Sequence, residues 1–143
     1  MTVPKRPLLR DMSWVLAPLM EVPGVVHALV LSGDGMIQGA SENLTREAGE
    51  GASAMASALQ GAGKELVRNL AGEAVSPVLH QVVVSTNYGF AFLIPAGDNT
   101  VMAVFARSTV DMGVIAHAMQ VQVSKLGSKA MSSPARIRGG VRG

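Results

Sequence analysis

Val22-Pro23-Gly24-Val25-Val26-His27-Ala28-Leu29-Val30-Leu31-Ser32-Gly33-Asp34-Gly35-Met36 is the stretch whose reading decides the fold. Residues 25–32 are short and rich in β-branched side chains, which predicts a strand. Gly33-Asp34-Gly35 is hairpin chemistry, because glycine reaches the positive φ that tight turns need. Residues 36–41 then read as the return strand. Pro23-Gly24 ends whatever precedes the hairpin.

Upstream, Leu8, Met12, Val15, Leu16 and Leu19 recur at three- and four-residue steps, predicting a helix over 8–21 with Pro7 at its start. Downstream, Asn43 and Thr45 are N-cap candidates for a long helix reaching about Leu70, with Glu47 in its first turn and Gly72 as its C-cap. Ala48, Ala52, Met55, Leu59, Ala62 and Leu66 form a regular seam along it, the Met55, Leu59 and Leu66 part of which is expected to pack on a sheet. Beside it runs a seam of small residues, Gly51, Ala54, Ala58 and Gly61. Three strands follow, 78–85, 88–94 and 100–106, joined by turns at Thr86-Asn87 and Ala96-Gly97-Asp98-Asn99. A last helix is predicted over 110–126, striped by Met112, Ile115, Met119, Val123 and Leu126, with both methionines read as core.

The order is α-β-β-α-β-β-β-α, without internal repeats. It predicts an α/β (α+β) domain with one five-stranded antiparallel sheet, strand order 2-1-5-4-3, covered by helices. Residues 8–128 form the expected domain. Residues 1–7 are a basic N-terminal tail, and 129–143 a basic C-terminal tail expected to be disordered. At 143 residues the chain can bury one core, and its 48% apolar content with only five aromatic residues makes that core aliphatic.

The formal charge of +2 hides an asymmetry. The body, 8–128, holds six basic and ten acidic residues. The tails hold the other six basic residues, Lys5, Arg6, Lys129, Arg136, Arg138 and Arg142, and no acid. An acidic body disfavours nucleic-acid binding. The tails offer only weak attraction to an anionic membrane face. No run approaches the length of a membrane span, and no signal-peptide core is present, so a cytoplasmic protein is expected.

Chemistry is sparse. Cysteine is absent, which excludes thiolate catalysis and cysteine metal sites. Gly61-Ala62-Gly63-Lys64 hints at a phosphate loop. Ala58 stands where the first glycine belongs, Glu65 replaces the hydroxyl residue, and the segment lies inside a helix. His27, His80 and His117 have no metal-ligand partners at suitable spacing. No nucleophile, base and orienting group stand in recognisable order. No catalytic, cofactor-binding or metal-binding residue is therefore expected, and the protein is read as a non-enzyme without cofactors.

The order of elements, the Val22-Pro23-Gly24-Val25 entry, the Ser32-Gly33-Asp34-Gly35-Met36 turn, the strand ending Met102-Ala103-Val104-Phe105-Ala106 and the following Gly113 resemble the roadblock/dynein-light-chain family over residues 10–128. The resemblance is strongest to bacterial members encoded beside a sensor-kinase-like protein and a small Ras-like GTPase. It implies a roadblock/profilin-like fold and a homodimer whose sheets join edge to edge and whose long helices lie side by side. It also implies an adaptor or regulator of a Ras-like GTPase, with a histidine-kinase-like receptor as a further partner and recruitment to the inner membrane face through partners. Arg46 and Arg68 stand only near the ends of the long helix, so a supplied arginine finger is not expected.

The dimer has a physical argument as well. Gly49, Gly51, Gly61 and Gly63 each cost a helix roughly 0.5–1 kcal/mol against alanine. Small residues do let two backbones approach. The valine-rich strand after Pro77 would be an open sheet edge, which pairing with its copy would close. The expected interface is Gly51, Ala54, Ala58 and Gly61 with Val82 and Val84. The alternatives are a small-molecule sensor domain and a purely structural dimeriser of a membrane-associated sensor-kinase complex.

Overall fold

Gly33-Asp34-Gly35 joins β1 (Val25–Ser32) to β2 (Ile37–Ala40) in the computed structural model, which describes residues 12–97 and 99–131. Gly35 takes φ +92°, which a side chain would strain. The Ser32 hydroxyl donates to the Asp34 carboxylate and accepts from the Met36 N–H, locking the turn. The remaining elements are α1 (Ser13–Met20), α2 (Arg46–Ala71), β3 (Val82–Thr86), β4 (Gly89–Pro95), β5 (Thr100–Ala106) and α3 (Met112–Met131). They form one antiparallel sheet of order β2-β1-β5-β4-β3, the order read from the sequence.

The central strands are covered on both faces, so Ala28–Leu31 and Val101–Val104 are continuously buried rather than alternating. On one face Ala28, Val30, Phe92, Ile94, Met102 and Val104 pack against Val15, Leu16 and Leu19 of α1 and Ile115 and Met119 of α3. On the other, Leu29, Leu31, Leu93, Val101 and Ala103 meet Ala56 of α2. Each fully buried side chain of this kind is worth about 1.5–3 kcal/mol. Met119 is core, as expected, whereas Met112 is exposed.

Several boundaries differ from expectation. Residues 8–11, where the first helix was predicted to begin, lie outside the described residues, as do both predicted tails apart from residues 129–131 and the turn residue Asp98. β2 is shorter than predicted because Met36 belongs to the turn and Ser41 turns back to accept the Ala28 N–H on its Oγ. β3 begins at Val82 rather than Val78. Val82 pairs with Leu93, and continuing that register would set His80 opposite Pro95, which has no N–H to share. Helix α3 starts two residues late because Asp111 caps it, its Oδ1 accepting from the Gly113 and Val114 N–H groups at 3.0 and 3.1 Å. It also runs past the predicted end to Met131. Gly127 does not stop the helix, and among the described residues nothing crowds it.

Helix α2 is capped as predicted. Thr45 Oγ1 accepts from the Ala48 N–H at 3.1 Å, and the Gly72 N–H donates to Arg68 O. Asn43, the other cap candidate, instead donates to Val26 O and accepts from His27 Nδ1.

Candidate functional site

At 3.6 residues per turn, α2 presents three distinct stripes. Gly49, Ser53, Ala56 and Gln60 face the sheet and are buried. The predicted sheet-facing seam does not. Met55 is 63% exposed and Leu66 59%, and Leu59 and Leu70 are exposed as well. This corrects the sequence reading, and the cause is steric. The sheet face is already built from large aliphatic side chains, so the helix approaches on its small residues. A Cβ added to Gly49 would lie 2.8 Å from Ile37 Cδ1. The large seam is displaced about 100° around the axis, onto the solvent flank.

The small-residue seam lies on the far side of the helix. Gly51, Ala54, Ala58 and Gly61 are all exposed, and a Cβ on Gly51 or Gly61 would touch nothing within 4 Å among the described residues. Ala54 borders the β1–β2 hairpin, where Ser57 Oγ also donates to Gly33 O at 2.6 Å. The two seams together make one apolar face that is additional to the buried stripe by which α2 covers the sheet. Sequence reasoning found both seams and misassigned the larger one.

Helix α2 crosses the sheet obliquely. Its start sits on β2, and its later turns reach the other edge, where Gly63 faces Leu79 and Val82. The structure thereby brings the end of the exposed α2 face next to β3. No strand among the described residues pairs with the outer side of β3. Val82 and Val84 are half-buried toward the sheet's α2 side, whereas Val83 points the other way and is exposed. The segment 73–81 between them is almost wholly exposed, with Val75 and Val78 outward.

Polar groups around this face are few. Arg46 pairs with Glu50 at 3.2 Å and Arg68 with Glu65 at 2.9 Å, both on the exposed helix surface, where such pairs contribute little. Ser53 Oγ and Gln60 Nε2, buried beneath α2, have no hydrogen-bond partner among the described residues. Gly61–Lys64 lies inside the helix, so its N–H groups point along the axis rather than cradling an anion. Among the described residues no group of three histidine or acidic side chains could hold a metal, and no helix is long and apolar enough to cross a membrane.

A five-stranded 2-1-5-4-3 sheet with one long helix on one face and two shorter ones on the other defines the roadblock and profilin class of α+β folds. Residues 13–106 match the Roadblock/LC7 domain model, and the chain belongs to that family. A Roadblock/LC7 domain from Streptomyces avermitilis is 26% identical, with a TM-score of 0.76, over 86% of this chain and 100% of that one. Myxococcus xanthus MglB superposes with a TM-score of 0.73 at 9% identity, over 87% of this chain and all of MglB. Profilin II from Acanthamoeba castellanii shares the fold more distantly, with a TM-score of 0.59 at 11% identity, covering 82% of this chain and 97% of the profilin. No curated protein matches the chain in sequence.

Proposed function

We propose that this Roadblock/LC7 protein is a non-enzymatic homodimeric adaptor that regulates a small Ras-like GTPase in a bacterial signalling complex. The observation that carries the reading is the exposed apolar face of α2 ending beside the unpaired β3 edge. A soluble monomer rarely leaves so large a contiguous apolar surface uncovered. A two-fold partner would lay its own α2 across Gly51, Ala54, Ala58 and Gly61, with Met55, Leu59 and Leu66 filling the flank. Its β3 would pair beside Val82 and Val84, closing both edges into one sheet. The paired helices and the loops around them then form the surface offered to the GTPase.

Such an adaptor acts by binding one nucleotide state of its partner better than the other, because a ligand shifts an equilibrium only through differential affinity. Arg46 and Arg68 stand near the two ends of α2 rather than on its central face, so an effect on hydrolysis is expected to come from positioning the GTPase's own residues rather than from a supplied arginine. The test is titration of this protein with the Ras-like GTPase encoded nearest to it, loaded with GTP analogue or GDP, while hydrolysis is followed in parallel. Tighter binding of the GTP form by two copies of this chain supports the proposal. Equal binding of both forms assigns it a scaffolding role, and no binding removes the GTPase from the reading.

A further inference from the structure

Gly61-Ala62-Gly63, which cradles no phosphate, divides α2 into two unlike halves. The first half is fastened. Thr45 caps its start, Gly49 sits against Ile37, Ala56 enters the core, and Ser57 Oγ donates to Gly33 O. Gly49, Ser53, Ala56 and Gln60 are buried at helical spacing. Beyond Gln60 that stripe stops. Among the described residues α2 buries nothing from Gly61 to Ala71, and Leu66, Val67 and Leu70 are exposed. The Arg68–Glu65 ion pair lies wholly within this half, so it does not tie the helix to the sheet. Gln60, the last buried residue, has no hydrogen-bond partner for its Nε2 among the described residues.

Helix α2 nevertheless runs unbroken through the two glycines. Each is less favourable in a helix than alanine, because glycine gives up more backbone freedom. Glycine and serine pairs are also among the places where helices kink. Nothing steric demands these two. A Cβ at Gly61 would meet nothing within 4 Å among the described residues, and one at Gly63 would meet Leu79 Cδ1 at an ordinary 3.5 Å. The chain beyond is long enough to follow a movement. From Gly63 to Ala71 the helix rises about 12 Å. The return from Gly72 to Leu79, which comes back beside Gly63, could span about twice that when extended. The second half of α2 can therefore swing without pulling β3 out of register.

We propose that Gly61-Ala62-Gly63 is a hinge, that residues 64–78 form an arm opening away from the sheet in the single chain, and that a second copy holds the arm straight by covering Leu66 and Leu70. The last clause rests on the dimer proposed above, and the hinge does not. The open form is a minor population, roughly 1%, too small to alter circular dichroism but large enough for amide exchange to register. Association then completes the helical surface offered to a partner, which makes assembly a control on partner binding.

The test is amide exchange followed by NMR on the ¹⁵N-labelled full chain, native and Ala58→Glu, each with its mass measured. In the single chain, amides 64–71 should exchange on the order of 10–100-fold faster than amides 49–60, with the step at the two glycines. In the Ala58→Glu background, Gly61→Ala with Gly63→Ala should slow the arm about fivefold to thirtyfold. Gly51→Ala, equally uncrowded but in the fastened half, should leave the arm unchanged. Association should slow the arm by at least about tenfold. The hinge is overturned by equal exchange in both halves, by a gradual rise toward Ala71 (ordinary end fraying), or by an arm slowed as much by Gly51→Ala. A native chain of single-chain mass refutes the dimer and not the hinge, which the step at the glycines still decides. A dimer whose arm exchanges as fast as the single chain's overturns the partner's role.

Discussion

Replacing Ser53 with alanine should stabilise this protein, although it removes a polar group from a residue with no solvent exposure at all. Ser53 lies on the sheet-facing stripe of α2, and its Oγ has no hydrogen-bond partner among the described residues. A buried hydroxyl without a partner carries a desolvation penalty of about 1–3 kcal/mol. Serine is also a poorer helix former than alanine, by up to ~0.5 kcal/mol. Against these gains stands the loss of a few dispersion contacts, roughly a few tenths of a kcal/mol. The net is a gain of about 1–3 kcal/mol, which for a domain of this size raises Tm by about 3–9 °C. Thermal melts followed by circular dichroism would read this directly. Protein concentration must be held constant, because self-association couples to Tm. A fall in Tm would refute the reasoning. It would mean that the hydroxyl is satisfied, by the carbonyl one turn back or by buried water, and that the α2–sheet contact is better made than its geometry implies.

Two other substitutions test the frame. Gly89 takes φ +145°, and a Cβ there would come within 2.2 Å of Ala106 O, so Gly89→Ala should cost about 2–4 kcal/mol and lower the denaturant midpoint without changing the slope. Asp111→Ala removes the acceptor for two N–H groups at the start of α3 and should cost about 0.5–2 kcal/mol in chemical denaturation.

The fold was legible wherever local chemistry and tertiary packing agree. Thr45 and Gly72 bound α2 in sequence and in space, and the Gly33–Gly35 turn pins the β1–β2 hairpin. Where packing alone decides, local pattern misled. The Met55, Leu59 and Leu66 seam has ideal helical spacing, yet spacing specifies a face and not what that face meets. The sheet's own leucines and valines fill the space beneath α2, so Gly49, Ser53 and Ala56 go inward and the larger side chains are turned out. The start of β3 depended on Pro95, a residue on a neighbouring strand. The Asp111 cap was readable, since aspartate directly precedes the striped segment, but the apolar Val110 drew the predicted start forward.

The central claim is that the outward face of α2 is a self-association surface, and the mass in solution tests it most directly. Sedimentation equilibrium at micromolar concentration should give twice the mass of one chain for the native protein. It should give a single-chain mass for Leu59→Glu and for Ala58→Glu, both at exposed positions, with circular dichroism unchanged. A native protein of single-chain mass, or variants that both remain dimeric, would contradict the account.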